Sequence, residues 1–226
     1  ANFEHSGVKF KAELSSNLAS QNEAITFLNS LKNKGFKVIR VTKKPGKRTP
    51  SAPFITSTLQ QEASRVLGFS VSRTMSVAQR LYESGHITYM RTDSVSLSKD
   101  AMSSAQQQIA RSFGSHYCNP RKYQNKNKSA QEAHEAIRPT NFGLSSLDND
   151  SPEDKLYKLI WRKTIASQMS DAEIEKTTIE IGFEGISQNF LSTGEVIKFD
   201  GFLKVYNLSS GKAVSYTHLT LPTTYT

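Results

Sequence analysis

The 226-residue chain has a single cysteine, Cys118, so neither a disulfide framework nor a thiolate zinc site can be built from it. A reduced, intracellular setting is the natural expectation. There is no positively charged leader followed by an apolar core, and no apolar run long enough to span a bilayer, which predicts a soluble protein without a membrane partner. Acidic residues are also scarce: 20 Asp and Glu stand against 29 Lys and Arg, a net charge of +9. That balance favours a polyanionic partner. The only acidic knot is Asp148-Asn149-Asp150 followed by Glu153-Asp154, and it reads as a loop and the cap of the next helix rather than a metal site.

The length allows one large or two modest domains with real cores. At the start, Val8, Phe10, Ala12 and Leu14 alternate as a strand does. Ser20-Gln21-Asn22-Glu23 then reads as a capping box before Ala24, Phe27, Leu28 and Leu31, with Gly35 closing the helix and Phe36 to Thr42 forming a second strand. Arg40, Lys43, Lys44, Lys47 and Arg48 share their stretch with Pro45, Gly46 and Pro50, which predicts a basic linker. Arg121, Lys122, Lys126 and Lys128, around Tyr123, predict a second basic loop. Such segments suit phosphate contact without base readout, and equally suit a solvated linker.

Beyond the linker the period becomes helical. Ser57 is positioned to cap a helix running to Gly68, and Ser72 a second running to Gly85 with Met75, Val77, Ala78 and Leu81 on its apolar side. Two helices joined by the turn Gly68-Phe69-Ser70-Val71 resemble a helix-turn-helix, and equally a plain helix pair packed on its own core. Further helices are expected over about Lys99–Ser112 and from Pro152 to Met169, the latter capped by Ser151 with Asp154 at its third position. Strand alternation returns at Ile179, Ile181 and Phe183 and again from Phe190 to Phe202. A mostly helical domain inserted in a β-rich one, an α+β architecture, is the simplest account.

Two motifs carry chemistry. In Gly85-His86-Ile87-Thr88-Tyr89-Met90-Arg91-Thr92-Asp93-Ser94, extended backbone would put Tyr89 and Arg91 on one face. A free phenol has a pKa of about 10 and is a weak nucleophile, so an attacking tyrosine needs a cation or base beside it, and a guanidinium can bind the phosphate under attack. On its own, Tyr-x-Arg also fits a half-buried aromatic beside a surface arginine. In the second motif, Ser129-Ala130-Gln131-Glu132 reads as a capping box opening a helix that Pro139 ends, with His134 and Arg138 on one face.

Together these blocks, His134-Glu135-Ala136-Ile137-Arg138-Pro139-Thr140 among them, resemble the type IA DNA topoisomerases, on the bacterial topoisomerase I side of the family. A third resembling block is Ala52-Pro53-Phe54-Ile55-Thr56-Ser57-Thr58-Leu59-Gln60-Gln61-Glu62-Ala63, and the likeness runs from the first strand to about Tyr206. Met90 and the His134 block favour topoisomerase I over the related topoisomerase III type. The resemblance implies that Tyr89 is the nucleophile forming a 5′-phosphotyrosine link. It implies that Arg91 and His134 hold the scissile phosphate, and that Gln79, Glu83, Thr88, Thr92 and Arg138 are neighbouring DNA-contacting positions.

By the same resemblance, residues 1–48 and 171–213 are two segments of a β-rich arch, and 49–170 the movable tyrosine-bearing domain. Single-stranded or negatively supercoiled DNA is the implied partner, relaxed without ATP by a monomeric enzyme in the bacterial cytoplasm, at the nucleoid. Mg²⁺ is implied as a cofactor of an acidic toprim domain that this stretch does not include. The chain alone is therefore not expected to relax DNA. Residues 214–226 read as a translated sequencing adapter, and the first residue, Ala1, is not Met, which together suggest a chain cut at both ends. Two other classes remain. A non-catalytic helix-turn-helix binder would tolerate loss of the Tyr89 hydroxyl, and a tyrosine recombinase would place its arginines and histidines before a late tyrosine, whereas here His134 follows Tyr89.

Overall fold

Alternation of phenylalanines with polar residues builds the first of two compact units. The computed structural model describes residues 1–5, 7–32, 34–124, 135–148 and 150–207. Strands β1 (Asn2–His5) and β2 (Val8–Lys11) pair antiparallel with Phe3 opposite Phe10. The short β3 (Glu13–Leu14), β4 (Phe36–Arg48), β5 (Ala172–Phe183) and β6 (Phe190–Phe199) form a sheet in the order β3-β6-β5-β4. Phe3, Phe10, Phe27, Ile179, Ile181 and Phe190 form the buried cluster of this unit, with Phe36, Val38 and Phe183 packed against it. The Phe3 ring meets Phe36 and Phe190 edge-on at 5.1 and 5.5 Å, a favoured aromatic geometry.

Helix α1 (Gln21–Ser30) starts where the sequence predicts. Ser20 Oγ accepts the Glu23 N–H at 3.2 Å, and the Glu23 carboxylate reaches back to the Ala19 N–H at 2.7 Å. It ends at Leu31, ahead of the predicted stop at Gly35, because Leu31 turns in against the phenylalanine cluster. The predicted basic linker is instead a strand: β4 runs through Lys44, Pro45 and Gly46 to Arg48. It lies at the sheet edge, where a proline lacking its N–H is tolerated. Two of its cations have partners across the sheet, Arg40 near Glu180 at 3.8 Å and Lys43 near Glu175 at 3.7 Å.

The second unit spans Arg48–Ala172 and takes up the chain again from Asp200. Helices α2 (Thr56–Leu67), α3 (Val71–Glu83) and α4 (Lys99–Ser112) pack on α5 (Pro152–Ser167), whose Leu156, Tyr157, Ile160, Trp161 and Ile165 are buried. α4 and the start of α5 match the sequence reading, with Ser98 Oγ accepting the Ala101 N–H and Ser151 Oγ the Asp154 N–H. α2 and α3 begin earlier than predicted. α3 is capped by Ser70, which accepts the Arg73 N–H, and not by Ser72; α2 opens after Ile55, whose N–H is accepted by Thr58, and not after Ser57. Asp154, fully buried, accepts from Ser146 Oγ, the Leu147 N–H and Lys158, so the acidic knot does close the loop onto the helix.

The predicted strand to Phe202 stops at Phe199, and residues 200–202 turn into the short α6 (Leu203–Asn207). Gly201 makes that turn at φ 48°, and a Cβ there would lie 2.3 Å from Asp171 O. No helix among the described residues is long and apolar enough to cross a membrane.

The second motif does not form the predicted helix in the part described. Residues 135–138 are extended, with Ile137 bridging Phe54 and Pro139 bridging Ile87. Cross-chain pairing explains it: the Ile137 N–H donates to Phe54 O at 2.8 Å and the Thr88 N–H to Arg138 O at 2.9 Å, bonds that a helix would forfeit, and Ala136 and Ile137 are buried beneath them. Arg121 of the second basic loop is not presented to solvent for phosphate. It binds the Asp171 carboxylate and Met169 O, while Tyr123 donates to Pro50 O and Ser167 O. Lys126, Lys128, the Ser129–His134 stretch and the adapter-like 214–226 lie outside the described residues.

Candidate active site

Three chain segments meet where α3 ends. Ser84 caps α3, Gly85 adopts φ 72°, and the His86 N–H returns to Leu81 O at 2.8 Å, a left-handed helix stop that sends the chain out in extended form. Ile87 pairs with Pro139, and Thr88 with Arg138: the Thr88 N–H donates to Arg138 O at 2.9 Å and the Arg138 N–H to Thr88 Oγ1 at 2.9 Å. Thr88 Oγ1 itself donates to Ala136 O at 2.7 Å. The three resembling blocks of sequence are therefore one site in space.

The next three side chains alternate. Met90 is 1% exposed, whereas Tyr89 is 47% exposed and Arg91 also faces solvent. The alternation places the phenol and the guanidinium on the same side, with the methionine between them anchoring the backbone to the core. No hydrogen bond or ion pair engages Arg91 among the described residues, so its five donors remain available to an anion. Tyr82, 41% exposed in the last turn of α3, meets the Tyr89 ring nearly edge-on at 5.2 Å.

Thr56 fixes the far side of this segment. Its Oγ1 donates to Met90 O at 2.8 Å and Thr92 O at 3.0 Å and accepts the Thr92 N–H at 2.9 Å, while its own N–H donates to Thr92 O at 3.0 Å. Thr92 Oγ1 accepts the Ser94 N–H at 3.1 Å, which stiffens the turn after Arg91.

The other expected positions have these places. Gln79 donates to Glu83 at 2.7 Å one turn along α3, near the surface. Arg138 forks onto the Glu135 carboxylate at 2.6 and 3.1 Å and donates to Pro139 O, so its guanidinium is already engaged. Glu135 also accepts the Ser98 N–H at 2.7 Å. Burial pushes the Glu135 carboxyl up, but the bonds from Ser98 and Arg138 outweigh it and hold the group below the usual carboxylate range. His134 lies outside the described residues. Among the described residues no group of three or more His, Cys, Asp or Glu could hold a metal ion, so what is present here does not fit a Mg²⁺ site.

Sequence reasoning did not find Thr56, Tyr82 or Glu135 as site residues. Thr56 lies inside a resembling block, but its function depends on a partner 34 residues away, which no local pattern reveals.

Comparison with known proteins is consistent with this geometry. The family model described as DNA topoisomerase matches residues 1–224. The chain is 49% identical over 187 residues to DNA topoisomerase 1 of Streptomyces coelicolor, covering 78% of this chain and 19% of that one. It is 46% identical over 198 residues to DNA topoisomerase 1 of Zymomonas mobilis, covering 85% and 16%. The solved structure of full-length topoisomerase I from Thermotoga maritima matches 94% of this chain and 36% of its own, with a TM-score of 0.74 and 34% identity. The chain thus spans less than a fifth of the length of these two curated relatives.

Proposed function

Because this chain belongs to the DNA topoisomerase family, we propose that it supplies the strand-cleaving tyrosine of a type IA topoisomerase I. On this reading Tyr89 Oη attacks the phosphorus of a single-stranded DNA phosphodiester. The new O–P bond makes a 5′-phosphotyrosine, and the P–O3′ bond breaks as the 3′ oxygen leaves as a hydroxyl; the phenol gives up a proton and the leaving oxygen takes one. Arg91 holds the non-bridging oxygens and stabilises the charge that accumulates in the transition state. His134 is proposed as a second group on that phosphate. Reversal reseals the strand. The phosphodiester energy stays in the phosphotyrosine, so relaxation of negatively supercoiled DNA proceeds without ATP. The Mg²⁺ of such an enzyme would be held by an acidic toprim domain.

The observation that carries this reading is the exposed Tyr89 and Arg91 side by side, with Met90 buried between them. It is tested by joining this chain to the toprim-bearing portion of a relative and adding Mg²⁺ with labelled single-stranded DNA. A denaturation-resistant adduct is expected from the wild-type sequence and none from Tyr89→Phe. A folded chimaera that binds the strand equally with and without the hydroxyl, and forms no adduct, would instead mark a non-catalytic DNA-binding module.

A further inference from the structure

A cavity of about 340 Å³ lies in the helical unit between one face of α4 and the loop after Pro139. Its volume falls at the small end of the range of roughly 300–1,000 Å³ usual for ligand sites. One wall is Ser104, Gln107, Gln108 and Arg111, spaced i, i+3, i+4, i+7 along α4. The opposite wall is Thr140, Asn141, Phe142 and Gly143. α4 packs through Ala101, Ala105 and Ile109, so its polar stripe is not used in holding the helix in place.

Three features make this a built site. The lining contains no carboxylate and one cation, Arg111, with hydroxyl and amide groups around it. The donors are largely unspent: among the described residues no hydrogen bond engages the Arg111 guanidinium or the Gln107 amide. Asn141 uses its carbonyl oxygen for the Gly143 N–H at 2.9 Å, which leaves its N–H₂ available. The loop wall is rigid. Tyr157 Oη donates to Asn141 O at 3.1 Å and Leu144 O at 2.7 Å, Trp161 Nε1 donates to Phe142 O at 2.9 Å, and Phe142 is buried.

The same loop is tied to the approach to Tyr89. Thr140 Oγ1 donates to Gly85 O at 2.6 Å and its N–H to His86 O at 3.0 Å, three residues before the phenol. We propose that this cavity is a second nucleic-acid subsite, one that holds a nucleotide of the single strand cut at Tyr89. Arg111 takes the phosphate, and Gln107 and Asn141 offer amide donors to phosphate or base. A pocket of this size has room for one unpaired nucleotide. The proposal rests on the single-strand substrate assigned under the proposed function.

The test uses this chain with a fluorescent single-stranded oligonucleotide, reading anisotropy across a salt series. Arg111→Ala is expected to weaken binding about tenfold and to lower the slope of log affinity against log salt by about 0.7, the share of one lost phosphate contact on a single strand. Gln107→Ala is expected to weaken binding with no change in slope. Both positions are exposed, and unchanged thermal unfolding will show that the variants fold. Wild-type binding that neither substitution alters overturns the cavity alone. A wild-type chain that does not bind the strand overturns the cavity together with the single-strand reading. Equal loss of duplex and single-strand affinity in Arg111→Ala assigns that arginine to a general electrostatic surface and overturns the subsite.

Discussion

At the scale of single residues, the segment from Tyr89 to Thr92 is held by the hydroxyl of Thr56. Thr56 Oγ1 accepts the Thr92 N–H and shares its single proton between Met90 O and Thr92 O. Replacing it with valine keeps the shape and removes every one of these bonds. A backbone N–H left without a partner in a part-buried place costs about 1–3 kcal/mol. Thr56→Val is expected to lower the stability of the helical unit by that order and to accelerate amide exchange at Thr92, with Thr56→Ser restoring protection; unchanged exchange in Thr56→Val would show that the bonds do not matter. The Tyr-x-Arg pair itself was legible in the sequence, because alternation is a local property and Met90 between the two is the apolar residue that must turn inward. The hydroxyl that secures it was not legible, since a threonine at a helix start has several possible partners and only the tertiary fold selects one.

At the scale of elements, Glu135 joins the start of α4 to the extended 135–138 segment by accepting from the Ser98 N–H and from Arg138. Its carboxyl is held below the ordinary range, so the folded state binds that proton less well than the unfolded chain does. The stabilisation is therefore complete above the unfolded value, about 4.3, and is lost as pH falls through the lower folded value. Glu135→Gln is expected to remove this component: urea unfolding at pH 6 and pH 3 should show a smaller loss of stability on acidification than in the wild type. An equal loss in both would assign acid sensitivity to other carboxylates, the buried Asp154 among them.

Elements with a serine cap and no competing neighbour, at Ser20 and Ser151, could be read directly from the chain. Where two serines stood within reach, as at Ser70 and Ser72, local pattern could not choose between them, and packing of α3 decided for Ser70. β4 was hidden because Pro45 and Gly46 punctuate loops far more often than strands, and only the edge of a sheet makes them compatible with pairing. The 135–138 segment was misread for the opposite reason. The proline that follows it suits a helix end, and bridges to Phe54 and Ile87 hold the segment extended instead.

At the scale of the whole molecule, each unit has its own apolar cluster, and the chain leaves the first after Lys47 and rejoins it at Glu173. In the first unit Phe190 touches Phe3, Phe27 and Phe183. Truncating a buried phenylalanine to alanine costs about 3–5 kcal/mol. Phe190→Ala is expected to abolish slow amide exchange in β5 and β6 while α3 and α5 keep theirs, as independent cores require; simultaneous loss in both would show one cooperative body. Membership of the topoisomerase family and the mixed helix and sheet character follow from sequence because they rest on many residues at once.

The bonds on either side of Tyr89 also determine how far it can travel. Thr88 is fastened to Ala136 and Arg138, and Thr92 to Thr56, which leaves Tyr89, Met90 and Arg91 as the whole span between two fixed points. Consecutive Cα atoms are about 3.8 Å apart, so a span this short, with its middle side chain buried, has no slack. The phenol can swing on its own side-chain torsions but its backbone cannot wander: Tyr89 is anchored to the helical unit as firmly as the helices on either side of it.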